Sequence, residues 1–215
     1  SEAASWLGGS VGATDINGDG LTDLLIGNVA SNANGKGDSG SVLVLYGNSA
    51  ASHADVVFGS VAVGDGFTIY GEDVSDFMAH AVKGAGDING DGIGDLLVST
   101  WVDDEGGVDA GAAWIVFGAT GTVRGDIDFS TLTSIDGFKV IGDEAVDYFG
   151  RANTAGDVNG DGYNDLIVAS PLGDNDAADG GEVNVIWGKD FSSVVFGGLT
   201  GNSSANNIVG TSGND

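Results

Sequence analysis

The sequence predicts an all-β fold, a β-propeller-like array of four-stranded blades, and three observations carry that reading. Forty glycines and a single proline, Pro171, are spread over 215 residues without a three-residue period, the composition of a chain with many tight turns. The apolar runs are too short for a helix, rich in residues that suit buried strands and bounded by glycine or polar residues. One pattern recurs three times: "DINGDGLTD" at 15–23, "DINGDGIGD" at 87–95 and "DVNGDGYND" at 157–165, its first residues 72 and then 70 apart.

Each recurrence brings the same elements in the same order. A short segment leads into the acidic loop, and an apolar run follows it: "DLLIG" (23–27), "DLLVS" (95–99) and "DLIVA" (165–169). A second strand ends in an aromatic residue and a glycine, "SVLVLYG" (41–47), "AAWIVFG" (112–118) and "VNVIWG" (183–188), which makes Tyr46, Phe117 and Trp187 equivalent. A further strand, "FTIYG" (67–71) or "FKVIG" (138–142), precedes the next unit. Four strands in about 70 residues describe one propeller blade. The expected units are 1–71, 72–142 and 143–199, followed by a Gly/Asn-rich tail at 200–215. Closure takes roughly four to eight blades. Three units therefore predict an incomplete ring or part of a larger propeller, with self-association or further repeats of a longer parent covering the end blades.

Charge narrows the function. Thirty-two acidic residues against six basic ones give a net charge of −26, which repels nucleic acid and anionic membrane surfaces and attracts cations. Apolar residues make up 41% of the chain, enough for a packed core. Cysteine is absent, which excludes disulfides, thiolate metal sites and cysteine nucleophiles. No apolar run approaches the ~20 residues of a membrane span. The opening "SEAASWLGG" has neither a basic n-region nor an apolar h-region, so any targeting signal is expected to be removed or to lie elsewhere in a longer parent.

The acidic loops have the chemistry of a Ca²⁺ site. A hard divalent cation takes six to eight oxygen ligands at ~2.3–2.6 Å, and alternate side chains wrapped around one point supply them compactly. Asp15, Asn17, Asp19 and Asp23 stand at positions 1, 3, 5 and 9, with the carbonyl of Leu21 at position 7. Asp87, Asn89, Asp91, Ile93 and Asp95 repeat the set, as do Asp157, Asn159, Asp161, Tyr163 and Asp165. Without a cation, carboxylates this close repel by on the order of 1 kcal/mol per pair near a surface. About three Ca²⁺ sites are expected. An EF-hand or dockerin loop requires an acidic residue at position 12, where Ile26, Val98 and Val168 stand. Mg²⁺ suits the loops less well, since it prefers a strict octahedron with several waters.

The pairing of "Phe149-Gly150" before an acidic loop with "Ala169-Ser170-Pro171" after the next strand resembles the FG-GAP repeat of integrin α-chain β-propellers. The likeness is strict in the loops and looser elsewhere: Leu7-Gly8 and Ala79-His80 occupy the Phe-Gly slot, and Gly27-Asn28-Val29 and Ser99-Thr100-Trp101 the other. The resemblance implies ligand recognition by loops on one face and metal loops that stiffen hairpins on another. In the tail, "NNIVGTSGND" at 206–215 looks like the first turn of an RTX-type Ca²⁺-binding repeat, which would make the chain a secreted bacterial one. The same residues also align with "FTIYG" and "FKVIG" as an outer blade strand.

Catalytic readings are weaker. "GGSVG" at 8–12 matches a nucleophile-elbow pattern, but Val82 and Ala152 replace Ser10 in the other units and no helical segment follows. His53 and His80 are too few for a histidine cluster or a triad. The acidic runs at 103–107 and 173–181 read as solvated loops. Trp114 and Trp187 are expected in the core, and Trp101 follows a strand where a sugar or peptide side chain could reach it. No catalytic residue is expected. The expected function is a Ca²⁺-stabilised extracellular adhesion or assembly module that binds a protein or glycan through loops on one face. A lectin-like propeller and the non-catalytic propeller of a secreted hydrolase stand as alternatives; a glycan array separates the first, a catalytic domain in the parent gene the second.

Overall fold

The computed structural model describes residues 6–49, 61–62, 64–121, 124–173 and 180–191. They form three small sheets with almost no helix. The first sheet holds β1 (Leu7–Thr14), β2 (Asp23–Asn28), β3 (Ser41–Leu45) and β4 (Gly66–Tyr70), and the second β5 (Ala81–Gly86), β6 (Asp95–Thr100), β7 (Ala112–Val116) and, beyond the short β8 (Ile127–Asp128), β9 (Gly137–Ile141). The third holds β10 (Arg151–Gly156), β11 (Asp165–Ser170) and β12 (Glu182–Ile186). Within each sheet consecutive strands pair antiparallel, so each chain segment predicted as a strand finds its sequence neighbour.

Two findings go beyond the four-strand expectation. β8, which belongs to the second unit, adds itself parallel to β4, with Ile69 opposite Ile127 and Tyr70 opposite Asp128. Asp126 fixes this graft: its carboxylate accepts the Thr68 amide at 2.8 Å and the Tyr70 hydroxyl at 3.0 Å. The third sheet shows three strands among the described residues. His53 and the 206–215 segment lie outside them.

The sheets stack face to face. Leu25, Val44 and Ile69 of the first meet Leu96, Val98 and Trp114 of the second in one core; Leu97, Ile115 and Phe138 of the second meet Phe149, Leu166 and Ile186 in another. The middle blade is covered on both sides, and every residue of β6 is buried, whereas β2 and β11 alternate as half-covered strands do. β1, β5 and β10 lie side by side as the inner strands. Trp114 is in the core as expected. Trp187, at the end blade, is only half-buried, where its counterpart Phe117 packs between Phe138 and Phe191. No helix among the described residues is long and apolar enough to cross a membrane.

Candidate metal centre

The three acidic loops join the inner strand of each blade to the next strand, and they have one conformation. In the middle loop the Asp87 carboxylate accepts the amides of Gly90 at 2.6 Å and Asp91 at 3.1 Å on one oxygen, and Gly92 at 2.8 Å on the other. Asn89 Oδ1 accepts the Asp91 amide at 2.9 Å, and Asp91 Oδ1 the Ile93 amide at 2.8 Å. Asp157, Asn159 and Asp161 repeat these bonds, with Gly162 at 3.0 Å and Tyr163 at 2.9 Å. Asp15, Asn17 and Asp19 do so with Asp19, Gly20 and Leu21 as donors. The two loop glycines have φ between +70° and +95°, where a side chain would be strained.

Position 9 does a separate job. Each carboxylate there is buried and accepts two amides, one from position 2 of its own loop and one from the glycine that ends the third strand. For Asp23 the donors are Ile16 at 2.8 Å and Gly47 at 2.7 Å, for Asp95 Ile88 and Gly118, both at 2.8 Å, and for Asp165 Val158 at 2.8 Å and Gly188 at 2.9 Å. Burial pushes the Asp95 carboxyl up to about 7 and raises that of Asp23, against the pull of those amides. The recurring aromatic-glycine pair thus ends where a glycine must stand. A Cβ on Gly118 would lie 2.5 Å from the Gly94 oxygen and 2.6 Å from Ile93 Cγ2.

The loops also lie in the seams between blades. The carbonyl of Asp15 accepts the Gly94 amide at 3.0 Å and that of Ile16 the Ala119 amide at 3.0 Å; one blade on, Asp87 accepts from Asn164 and Ile88 from Lys189, both at 2.9 Å. Ile93 packs over Gly18 and the Tyr163 ring over Gly90, so position 7 of each loop covers the loop before it.

The donor set fits a hard cation. Positions 1, 3, 5 and 9 offer only oxygen, position 7 offers a carbonyl, and the backbone is already wound around the carboxylates. Within a loop the carboxylates of positions 1, 5 and 9 are held on backbone amides rather than gathered as a trio. Among the described residues one trio does converge: Asp143, Asp147 and Glu182, whose oxygens lie within 4.8 Å of one another. Sequence reasoning passed over it, although aligning "GEDVSD" (71–76) with "GDEAVD" (142–147) would have marked the first two as a repeated acidic pair. In the preceding seam Glu72, the counterpart of Asp143, pairs instead with a lysine. Lys139 Nζ lies 2.7 Å from Glu72, 3.0 Å from Asp103 and 2.6 Å from Glu105, and 4.9 Å from the centre of the Trp114 ring.

The opposite end of the hairpins carries an apolar recess. Trp6, Val29, Phe77, His80 and Trp101 line about 250 Å³, together with Ala30 and Val102. The His80 ring lies against Trp101 at 3.6 Å between centroids, tilted by 33°, and the Arg151 guanidinium lies 5.3 Å from the same indole. Burial lowers His80 to about 4, so the ring is neutral near pH 7. Ser10 Oγ accepts the Val82 amide at 2.9 Å, a bond between two inner strands that gives this hydroxyl a structural partner.

These features agree with the comparison to known families: the FG-GAP repeat matches residues 7–45, from β1 to the end of β3, and residues 149–186, from β10 to the end of β12. Both stretches run from the inner strand through the acidic loop to the third strand, and the middle unit repeats the same bonds. The chain thus carries two FG-GAP repeats, at residues 7–45 and 149–186, in an all-β fold of propeller-like blades.

Proposed function

We propose that this chain is a Ca²⁺-stabilised, non-catalytic extracellular adhesion module. The observation that carries the reading is the threefold identity of the acidic loops, each an all-oxygen donor set wound on the same amides. Asp15, Asp19 and Asp23, with Asn17 and the Leu21 carbonyl, would hold one ion, and the equivalent residues of the other loops two more. A bound cation supplies charge neutralisation that lets clustered carboxylates remain ionised in a tight turn. The weak affinities of extracellular Ca²⁺ modules, ~10⁻⁴–10⁻³ M, suit such exposed sites.

Recognition is assigned to the other end, where the recess combines an aromatic floor with a neutral histidine. Rings of this kind accept the apolar face of a sugar or an apolar side chain. Calorimetric titration of the metal-free chain should count about three Ca²⁺; none bound would refute the metal reading. A panel of glycans and extracellular matrix proteins should yield a ligand whose binding Trp101→Ala weakens at least tenfold, and a ligand indifferent to that change would remove the recess from the account.

A further inference from the structure

We infer that His80 is the specificity-determining residue of the aromatic recess: its Nε2 accepts a hydroxyl from a saccharide whose apolar face lies on the indole wall. The inference rests on the reading of the recess as the recognition site, and it names the ligand class.

The tautomer follows from the groups around Thr100. A threonine hydroxyl has one proton to give and two lone pairs to receive. Thr100, fully buried, spends that proton on the Asp76 carbonyl at 2.7 Å. The carbonyl only accepts, so the 3.1 Å contact between Thr100 Oγ1 and His80 Nδ1 is a bond that the imidazole donates. The Val102 amide, at 3.4 Å, takes the remaining lone pair. Nδ1 therefore carries the proton, and in a neutral ring Nε2 is left a bare acceptor. Among the described residues nothing donates to it, and it is not one of the sealed atoms without a partner. Nε2 is thus accessible, on a ring that lines the recess.

The repeat does not need this arrangement. Trp101 has Val29 as its counterpart in the first blade and Pro171 in the third. The counterparts of Thr100, Asn28 and Ser170, keep a buried Oδ1 and Oγ without a partner among the described residues. The histidine, the threonine and the tryptophan come together in the middle blade, and three departures that converge on one recess point to a ligand rather than to packing.

The chemistry of the recess selects that ligand. None of the side chains lining it carries a formal charge near pH 7, so an ammonium or a guanidinium finds no counter-charge there. A carboxylate brings no proton for Nε2 and meets the field of a −26 chain. A neutral hydroxyl beside a rigid apolar face satisfies every contact, and a pyranose ring carries both. Trp6, 64% exposed, and Trp101 supply the aromatic wall. The space of about 250 Å³ suits one sugar ring and falls below the ~300–1,000 Å³ of pockets for larger ligands.

The test is ¹⁵N nuclear magnetic resonance of the 215-residue chain labelled at its two histidines, with His80→Asn assigning the His80 signals. In the unliganded protein Nδ1 should resonate as the protonated nitrogen and Nε2 as the bare one. The opposite tautomer overturns the proposal, and because it is read on the wild type that result stands even where a variant fails to fold. The probes are the methyl glycosides of glucose, galactose, mannose and fucose, with p-cresol and indole in place of tyrosine and tryptophan side chains. At least one glycoside should shift the Nε2 signal. Its affinity should fall about tenfold, the worth of one hydrogen bond, in His80→Asn, which keeps a donor for Thr100 and has no acceptor at Nε2. His80→Gln, whose amide oxygen reaches toward the Nε2 position, should restore part of the loss. A glycoside that Trp101→Ala weakens and His80→Asn does not would overturn the role of His80 and leave the recess as the recognition site. A response to p-cresol or indole alone would overturn the saccharide in favour of a protein side chain. If no probe shifts His80 or depends on Trp101, the recess itself leaves the account.

Discussion

The backbone carbonyl of Asp15, the first residue of the first acidic loop, accepts the amide of Gly94 from the second blade at 3.0 Å. Asp87 and Asn164 make the same bond one blade later. A loop proposed to hold a cation therefore also joins a seam, and on that proposal removing the cation should loosen contacts between blades as well as within a hairpin.

That placement ranks the loops. Asp19→Ala and Asp91→Ala, in loops that contact a following blade, should each cost on the order of 1–3 kcal/mol in urea unfolding with Ca²⁺ present. Asp161→Ala, in the loop beyond which no blade is described, should cost measurably less. Equal losses at all three would separate the loops from the seams.

The glycine that ends each third strand should be irreplaceable for a steric reason. Gly118→Ala forces a Cβ against the Gly94 carbonyl and Ile93, and should destabilise by about 1–3 kcal/mol. Gly125→Ala meets nothing within 4 Å and has no left-handed backbone to lose, so it should be near neutral. Chemical denaturation of the pair checks the contrast.

Lys139 is buried with three carboxylates around it, and replacing it by Met removes their shared counter-charge. Lys139→Met should cost about 3–5 kcal/mol, the range for breaking a buried ion pair from one side. Glu105→Gln, at a more exposed partner, should cost about 1 kcal/mol or less. A Lys139→Met protein as stable as wild type would show the network to be dispensable.

Asp76 gives the fold a signed pH response. Burial, then the neighbouring Asp103, pushes its carboxyl up to about 7, with the Asp73 amide and Lys139 opposing. Its folded value lies above the unfolded one of 3.8, so between those values the folded state binds more protons and stability falls as pH rises. Asp76→Asn should remove up to about 1.4 kcal/mol per pH unit of that slope and stabilise the protein at pH 8 relative to pH 4. Parallel slopes for the variant and wild type would contradict this.

The sequence revealed what is local. The acidic loops, the short apolar runs after them and the aromatic-glycine strand ends are periodic, and each became a loop or strand where the spacing put it. What it hid depends on residues far apart in the chain. Lys139 meets Glu72 across 67 residues, β8 grafts onto β4 across the boundary between two units, and the recess joins Trp6 to Trp101. Position 9 was legible as a carboxylate and not as a clamp, because its second donor, Gly47, Gly118 or Gly188, lies 23 or 24 residues away. The Phe-Gly slot misled least where its residues changed. Leu7, Ala79 and Phe149 occupy one position, and the two that have a preceding blade are buried.

The central claim is that a cation in the acidic loops holds this fold together, and scanning calorimetry of the chain in Ca²⁺ and in EDTA tests it most directly. Each site filled at a hundred times its dissociation constant adds about 2.7 kcal/mol, worth roughly 5–10 °C in a chain of this size. The account predicts a midpoint raised by at least that much in Ca²⁺, with a smaller rise in Mg²⁺ at equal ionic strength. Coincident curves in Ca²⁺, Mg²⁺ and EDTA would contradict it.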